Sequence, residues 1–266
     1  MQIIKLYPRP LHQIPYLYSG KGGTMASGEY PIYHAHVDKL PVGTSAIFVT
    51  SDLQGVEIAE SGESRLLGHV IVETLGNLSH QQTIPPTSEI GIILGGDLYS
   101  GDTADARGVS GDINSIWQDF GQHFQWVAGV AGNHDRFGTK PSPSFDNDSN
   151  LYFLDGDIRN IQSFALAGIS GIIGNPRKFL RRSESEFVQL IEELAKNNLD
   201  ILILHEGPDH PTEPYKGRTS IRHALEKASD LLVIFGHCYW PVPLYEMSKN
   251  VQLLNVDSRG VLLTEM

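Results

Sequence analysis

Residues 126–135 have the sequence WVAGVAGNHD, an apolar run that ends abruptly in polar residues. The six residues 126–131 predict a short buried strand. Gly132 allows a sharp turn after the strand because glycine has no Cβ atom to clash. Asn133, His134 and Asp135 are therefore delivered together at a strand end, which is where open α/β sheets hold their ligands. A plain surface turn is the alternative, since Asn, Gly and Asp are common turn residues.

The three polar side chains offer different chemistry. Asn133 can present a neutral amide oxygen to a metal, His134 can donate or accept a proton, and Asp135 can orient that histidine. These properties fit both a reactive site and a surface turn, so the choice between the two depends on the rest of the sequence.

Four other apolar runs also predict buried strands. They cover residues 45–50, 90–94, 200–204 and 231–235. Each ends in a polar signature: Asp52-Leu53-Gln54-Gly55, Gly96-Asp97, His205 and Gly236-His237. The repetition indicates that Asp, Asn and His side chains converge at one edge of the sheet. Oxygen and imidazole ligands without thiolate suit Mn, Fe or Zn in a catalytic site rather than a structural zinc site.

Helical periodicity predicts four helices, over residues 63–78, over 113–124, from about residue 183, and over 219–227. Asp112 is the expected N-cap of the second helix. Residues 30–37 predict a half-exposed edge strand, 151–154 and 163–173 predict strands, and 251–255 with 260–264 predict a closing hairpin. The alternation of strands and helices predicts an α/β sandwich. We expect one domain over residues 1–266, in which residues 1–44 form an N-terminal extension packed on the core.

The composition limits the partners. The chain has 266 residues and a formal net charge of -11, which argues against a protein that grips long nucleic acid or an anionic membrane. A small anionic substrate remains compatible, because metal ions can invert the local field. Cys238 is the single cysteine, so no intrachain disulfide can form, and a packed small side chain is its expected role. Without an apolar signal core or spanning run, we expect a cytoplasmic protein.

The ordered series of motifs from Asp52 to about Tyr239 resembles the calcineurin-like metallophosphoesterase superfamily. The resemblance implies a four-layer α/β/β/α sandwich of two mixed β-sheets flanked by helices. It implies that Asp97 bridges two divalent metals. It assigns Asn133, His205 and His237 to one metal and Asp52 to the other.

The resemblance also implies roles around the phosphate. His134 resembles the family's non-liganding histidine, which is held by Asp135, faces the phosphate and serves the leaving group. Asn133 and His134 would then contact the substrate, and Arg136 or Arg107 is a further candidate for a phosphate contact. A solvated loop arginine is the alternative at both arginine positions.

Two positions depart from the commonest family motifs. Gln54 replaces a histidine two residues after Asp52, and Tyr239 replaces the second histidine of the Gly-His-x-His motif. Both missing histidines belong to the metal served by Asp52. Gln54 can ligate only through a neutral oxygen, and Tyr239 either binds as a phenolate or does not ligate. We therefore expect one strong and one weak metal site, with Mn as the expected metal and Fe, Zn or Mg as alternatives.

Three functions are compatible with these motifs. The first is a metal-dependent phosphoesterase that hydrolyses a small phosphomonoester or phosphodiester through a metal-activated water. The second is a degenerate relative that binds a metal or a phosphorylated ligand with little turnover, which the altered metal site motivates. The third, a nuclease, is disfavoured by the acidic balance of the chain. The sequence does not specify the oligomeric state.

Overall fold

The computed structural model describes residues 1–20, 23–58, 62–106, 108–140, 142–143, 145 and 150–266. The strands, in chain order, are β1 (Ile3–Leu6), β2 (His12–Ser19), β3 (Met25–Val37), β4 (Ala46–Ser51), β5 (Gly55–Ile58), β6 (Ser64–Leu66), β7 (Ile90–Leu94), β8 (Gly111–Asp112), β9 (Trp126–Gly129), β10 (Asp135–Arg136), β11 (Leu151–Phe153), β12 (Asp157–Ile161), β13 (Phe164–Ile169), β14 (Ile172–Ile173), β15 (Arg181–Arg182), β16 (Ile201–Glu206), β17 (Leu231–Gly236), β18 (Leu244–Glu246), β19 (Val251–Asn255) and β20 (Arg259–Glu265). The helices are α1 (Leu67–His80), α2 (Asn114–His123), α3 (Glu184–Leu194) and α4 (Thr219–Leu225), with short 3-10 turns at Thr87–Glu89 and Ser248–Asn250.

The strands form two large mixed sheets. The first has the order β11-β9-β7-β4-β20-β3-β2-β5-β6, with β1 added beside β3. The second has the order β12-β13-β16-β17-β19-β18. Strands β4, β7, β9 and β11 run parallel in the first sheet, as do β13, β16, β17 and β19 in the second. Their carboxyl ends therefore lie at one edge of each sheet.

Three hydrophobic clusters hold these elements together. One packs α1 and α2 against the first sheet, and it includes Phe48 of β4. The second contains side chains of both sheets, among them Ile47 of β4 and Ile234 of β17. The third packs α3 and α4 against the second sheet. Because successive strand residues point to opposite faces, Ile47 and Phe48 serve different clusters, which explains why the central strands are apolar throughout. The fold is thus a mixed α/β fold with four helices among the described residues.

Several predicted elements need correction. The predicted hairpin of residues 251–255 and 260–264 is wrong, because β19 pairs with β17 in the second sheet while β20 pairs with β3 and β4 in the first. The predicted edge strand is also wrong, since β3 lies between β20 and β2. Residues 1–44 contribute β1, β2 and β3 to the first sheet.

Smaller differences concern element ends. The predicted helix from residue 63 begins only at Leu67, because residues 64–66 form β6. Helix α2 begins at Asn114 with Ile113 as its N-cap residue and no side-chain cap, so the prediction that Asp112 caps it is wrong. Asp112 Oδ1 instead accepts the backbone N–H of Asn114 at 2.9 Å, from one residue before the cap position. The predicted strand 163–173 divides into β13 and β14. None of the described helices is long and apolar enough to cross a membrane.

Candidate metal centre

Five strand ends bring the predicted site residues to one place. Three of these residues come directly after a strand or after the glycines that follow it. Their own backbones are in the left-handed region: Asp52 (φ 56°), Asp97 (φ 53°) and His237 (φ 66°). Such conformations are uncommon outside glycine and cost of order 1–3 kcal/mol each. The surrounding structure therefore has to hold these side chains in position, as is typical of functional sites.

The centre of the site is formed by Asp97, His205 and His237. One ligand atom of each lies within 4.8 Å of the other two. His205 Nε2 is 3.5 Å from Asp97 Oδ2, and the two imidazole centroids are 5.1 Å apart. These residues come from both large sheets, because Asp97 follows β7 whereas His205 and His237 belong to the ends of β16 and β17.

Two buried atoms around this cluster point to a cation. Four buried side-chain polar atoms of the described residues have no hydrogen-bond partner, and two of them, Asn133 Oδ1 and His205 Nε2, belong to predicted residues of this site. Because His205 Nδ1 donates to the Gly95 carbonyl at 2.8 Å, Nε2 is the ring nitrogen that a cation would bind in place of a proton. A buried unpaired acceptor costs about 1–3 kcal/mol, and a divalent cation would satisfy both atoms. The amide oxygen, the imidazoles and the Asp97 carboxylate thus fit a divalent metal.

Asp97 is fixed by several groups. Its Oδ1 accepts the backbone N–H of His134 at 2.9 Å, and its Oδ2 accepts Gln54 Nε2 at 3.0 Å. A Cβ atom on Gly132 would lie 2.0 Å from Asp97 Oδ1, so glycine is required there for close approach rather than for a positive φ. Burial favours the neutral acid, but the His205 imidazole and the His134 N–H outweigh it and lower the pKa of Asp97.

The remaining electrostatics favour one imidazolium among several carboxylates. Burial lowers the pKa of His205, but the charges of Asp97 and Asp52 outweigh this and raise it to about 10. Burial and the neighbouring His205 lower the pKa of His237 to about 4. Burial, and then the charge of Asp257, raise the pKa of Asp52 well above its ordinary value. These carboxylates are therefore held close together at an electrostatic cost, which a bound cation would reduce.

Asp52 lies beside the backbone of His237. Its Oδ2 accepts the backbone N–H of His237 at 2.8 Å and the hydroxyl of Ser51 at 2.6 Å. A Cβ atom on Gly236 would lie 2.2 Å from the same oxygen, which explains the glycine of the Gly-His motif. Asp52 therefore connects the end of β4 in the first sheet with the end of β17 in the second.

The prediction that Asp135 holds the His134 ring is wrong. The Asp135 carboxylate instead accepts backbone N–H groups of Asp97 (2.8 Å), Leu98 (2.8 Å) and Gly132 (2.7 Å). Burial and the charge of Asp97 raise the pKa of Asp135 to about 7, against the opposing effect of these bonds. Asp135 thus shapes the loop that carries Asp97, since its carboxylate bonds to the backbone of that loop and not to the His134 ring.

His134 is half-buried beside this loop. Its Nδ1 lies 3.4 Å from the Ser110 hydroxyl, a long contact that fixes the ring only weakly. A Cβ atom on Gly108 would lie 3.1 Å from His134 Cε1, so the Gly108 backbone packs against the ring. The charge of His134 influences the pKa of both Asp97 and His237, which places the ring beside the cluster.

Three further residues were predicted for this site: Tyr239, Arg136 and Arg107. The Tyr239 ring is 58% exposed and lies under the guanidinium of Arg259, 4.3 Å from its centroid. Arg136 donates through Nη1 to the carbonyls of Asn133 and Asp135 and stacks on Phe179, so it braces the loop. Arg107 lies outside the described residues.

One acidic residue of this site was missed from the sequence. Asp257 is only 8% exposed, and its charge raises the pKa of Asp52. It follows β19, a sixth apolar strand that also ends in polar residues, Asn255 and then Asp257. Because the sequence predicts this strand as part of a hairpin, it does not group the end of β19 with the other five strand ends.

Residues 46–239 match the calcineurin-like phosphoesterase family, and the chain therefore belongs to that family. The match ends at Tyr239, so Asp257 lies beyond it. No curated protein matches this chain in sequence.

Among solved structures, TT1561 of Thermus thermophilus is 15% identical and has a TM-score of 0.47, over 83% of this chain and 88% of that one. A hypothetical protein from the same organism is 14% identical with a TM-score of 0.44, over 83% and 77% of the two chains. AQ665 of Aquifex aeolicus, a protein of unknown function, is 17% identical with a TM-score of 0.32, over 66% and 83%. None of these similarities supports a conclusion about activity.

Proposed function

We propose that this protein is a metal-dependent phosphoesterase that hydrolyses a small phosphomonoester or phosphodiester. The observation that carries the proposal is the pair of buried polar atoms without a hydrogen-bond partner, Asn133 Oδ1 and His205 Nε2, at the Asp97, His205 and His237 cluster. Family membership supports phosphoester hydrolysis as the reaction. The three separate hydrophobic clusters support the four-layer α/β/β/α arrangement expected for such a fold.

In this proposal Asp97, Asn133, His205 and His237 would hold one divalent ion, and Asp52 and Asp97 would help to hold a second. Manganese is the metal that we propose. The ions, when bound, supply positive charge beside the phosphoryl oxygens and a water that is acidic near neutral pH.

His134 acts on the leaving group. Its ring lies next to the metal residues but its long contact with Ser110 leaves it free to turn toward substrate. A proton or hydrogen bond from the ring to the departing oxygen would offset the negative charge that develops there. Asn133 and His134 would also contact the phosphate. Arg136 would act indirectly, since its bonds to the carbonyls of Asn133 and Asp135 hold the loop.

The proposal is tested with 4-nitrophenyl phosphate and bis(4-nitrophenyl) phosphate in the presence of Mn²⁺. We expect turnover of at least one ester, abolished by removal of the metal. General acid groups contribute typically 10²–10⁴-fold, so His134→Ala should lower kcat by at least about 100-fold.

The matched control is the metal content of His134→Ala, which should equal that of the unaltered protein, because His134 is not proposed as a ligand. Absence of turnover with either ester, or activity indifferent to His134→Ala, would overturn the proposal. The first of these outcomes, with metal still bound, would favour a binding protein of the same fold.

A further inference from the structure

We infer that Asp257 is a ligand of the second metal ion, the one on the Asp52 side, where it takes the place of the histidine that Tyr239 replaces. This inference rests on the proposed function, because it concerns a metal of that same centre. It adds a ligand from beyond residues 46–239, the part of the chain that matches the family.

The need for another ligand follows from the two altered positions. Tyr239 is largely exposed and its ring faces Arg259. Gln54 donates its amide to Asp97 Oδ2, and a half-turn of that amide would present Oε1 at the same place. Asp52, Asp97 and Gln54 would then be the only motif residues left for the second ion, which is a sparse set for a hard cation.

The backbone brings Asp257 to this side of the centre. Asp257 forms a parallel bridge with Ser51, the residue before Asp52. The Ser258 N–H donates to the Ser51 carbonyl at 3.2 Å, which ties the two segments together. Asp257 is therefore fixed beside Asp52 by main-chain contacts that do not depend on a metal.

The Asp257 carboxylate is buried with free coordinating capacity. Its Oδ1 accepts the Ser258 hydroxyl at 2.7 Å. The neighbouring cation, Arg259, donates through Nε to the Asp257 carbonyl and through Nη2 to the Trp240 carbonyl. Both of these bonds use main-chain oxygens, so the guanidinium lowers the pKa of Asp257 through its charge but leaves the two carboxylate oxygens free of these hydrogen bonds.

The charge balance points to a ligand for this group. Asp52, Asp97 and Asp257 interact electrostatically with one another and with His205. Two cationic groups oppose this repulsion at Asp257, the Arg259 guanidinium and the His205 imidazole, yet burial still raises the pKa of Asp257. Gathering like charges away from water is costly unless a cation joins them. A second divalent ion among the three carboxylates would remove that cost.

The ligand chemistry also sets the metal preference. Asp52, Asp97, Asp257 and the Gln54 carbonyl would offer oxygen alone, which suits Mn²⁺ or Mg²⁺. The other site, with two imidazoles, tolerates Zn²⁺ or Fe as well. The two ions should therefore differ in how readily zinc replaces manganese.

The test is a Mn²⁺ titration of metal-free protein, followed by calorimetry and by the electron paramagnetic resonance of free Mn²⁺. Asp257→Asn keeps the side-chain shape and removes the charge. We expect it to weaken the second Mn²⁺ by at least about tenfold, since even groups that only support ligands contribute 10–100-fold. Binding of the first Mn²⁺ should change by less than about threefold. Ser258→Ala is the matched control, and it should change the second affinity less than Asp257→Asn does.

A second variant gives a signal that loss of folding cannot imitate. Asp257→Cys places a thiol at the same position, and a thiolate bound to Cd²⁺ has a characteristic ultraviolet charge-transfer band. We expect this band to exceed that of the unaltered protein, since Cys238 is present in both proteins and contributes equally.

The outcomes separate the two proposals. Unaltered protein that binds no Mn²⁺ would overturn the proposed function itself. Two ions that bind equally well to the unaltered protein and to Asp257→Asn, with no added Cd²⁺ band in Asp257→Cys, would overturn only the role of Asp257. Binding of a single Mn²⁺ by the unaltered protein would also overturn that role while leaving the first site intact.

Discussion

The two sides of the candidate metal centre are built differently. The Asn133 side has a buried amide oxygen and two imidazoles, and one ligand atom of each of Asp97, His205 and His237 lies within 4.8 Å of the others. The Asp52 side has carboxylates, an amide that donates to Asp97 and a tyrosine that faces Arg259. The Asp52 side thus has its acidic residues without an imidazole of its own, and the carboxylate of Asp257, from the end of another strand, lies near Asp52.

The strongest loss is expected at Asp97, the residue that the two sides share. Asp97→Asn removes the charge that would bridge both ions and that pairs with His205. Metal catalysis is worth several kcal/mol, so we expect activity to fall by roughly 10²–10⁴-fold and both ions to be weakened. Phosphoesterase assays with Mn²⁺ and elemental analysis would check this. Loss of only one ion would show that Asp97 does not bridge.

His237 and Tyr239, two positions of one motif, should differ sharply in how their substitution changes metal affinity. His237→Ala removes a proposed ligand of the first ion, and we expect its affinity to fall roughly 100-fold. Tyr239→Phe keeps the ring that packs against the Arg259 guanidinium and removes only the hydroxyl, so metal affinity should stay within about twofold. Calorimetry of both variants with Mn²⁺ measures the two effects. A Tyr239→Phe loss as large as that of His237→Ala would identify the tyrosine as a ligand.

A third prediction concerns the loop that positions Asp97. Asp135→Asn leaves one acceptor oxygen for three backbone N–H groups, and hydrogen bonds to charged groups contribute about 1.5–3 kcal/mol each. We expect the free energy of unfolding to fall by roughly 2–3 kcal/mol in urea denaturation of the metal-free protein.

The control for that variant is Asp119→Asn, which alters a half-exposed carboxylate beside His69 and His123. Exposed ion pairs contribute about 0–1 kcal/mol, so this variant should remain close to the unaltered protein. Equal destabilisation by both substitutions would contradict the structural role of Asp135.

A smaller effect, on the pH dependence of stability, is expected outside the metal centre at His34 in β3. Burial, and then the charge of His36, lower the pKa of His34. The folded state therefore disfavours protonated His34, so its contribution to stability is present above the unfolded pKa and is lost as the pH falls below it. His34→Gln should flatten the decline of unfolding free energy between about pH 7 and pH 5. An unchanged decline would contradict this role of His34.

Sequence-based prediction was most successful where the information was local. Each of the five strand ends combines an apolar run with polar residues directly after it, and the structure brings Asp52, Asp97, Asn133, His205 and His237 together. The pairing of β19 and β20 was predicted wrongly because residues adjacent in sequence cross between two sheets, which hydrophobic periodicity does not reveal.

Side-chain direction was the other source of error. Nothing in the sequence indicates that Asp135 turns to three backbone N–H groups rather than to His134, or that Tyr239 turns to Arg259. Asp257 was missed for a related reason, because its position beside Asp52 depends on the bridge with Ser51, which is 206 residues away along the chain (257 − 51).

The inequality of the two metal sites can be measured by calorimetric titration of metal-free protein with Mn²⁺, with the bound metal counted by elemental analysis. We predict two ions per chain, one tight and one at least about tenfold weaker, because one side offers imidazoles and an unpartnered amide and the other offers only oxygen. Two ions of equal affinity, or no bound ion at all, would contradict the two-site asymmetry.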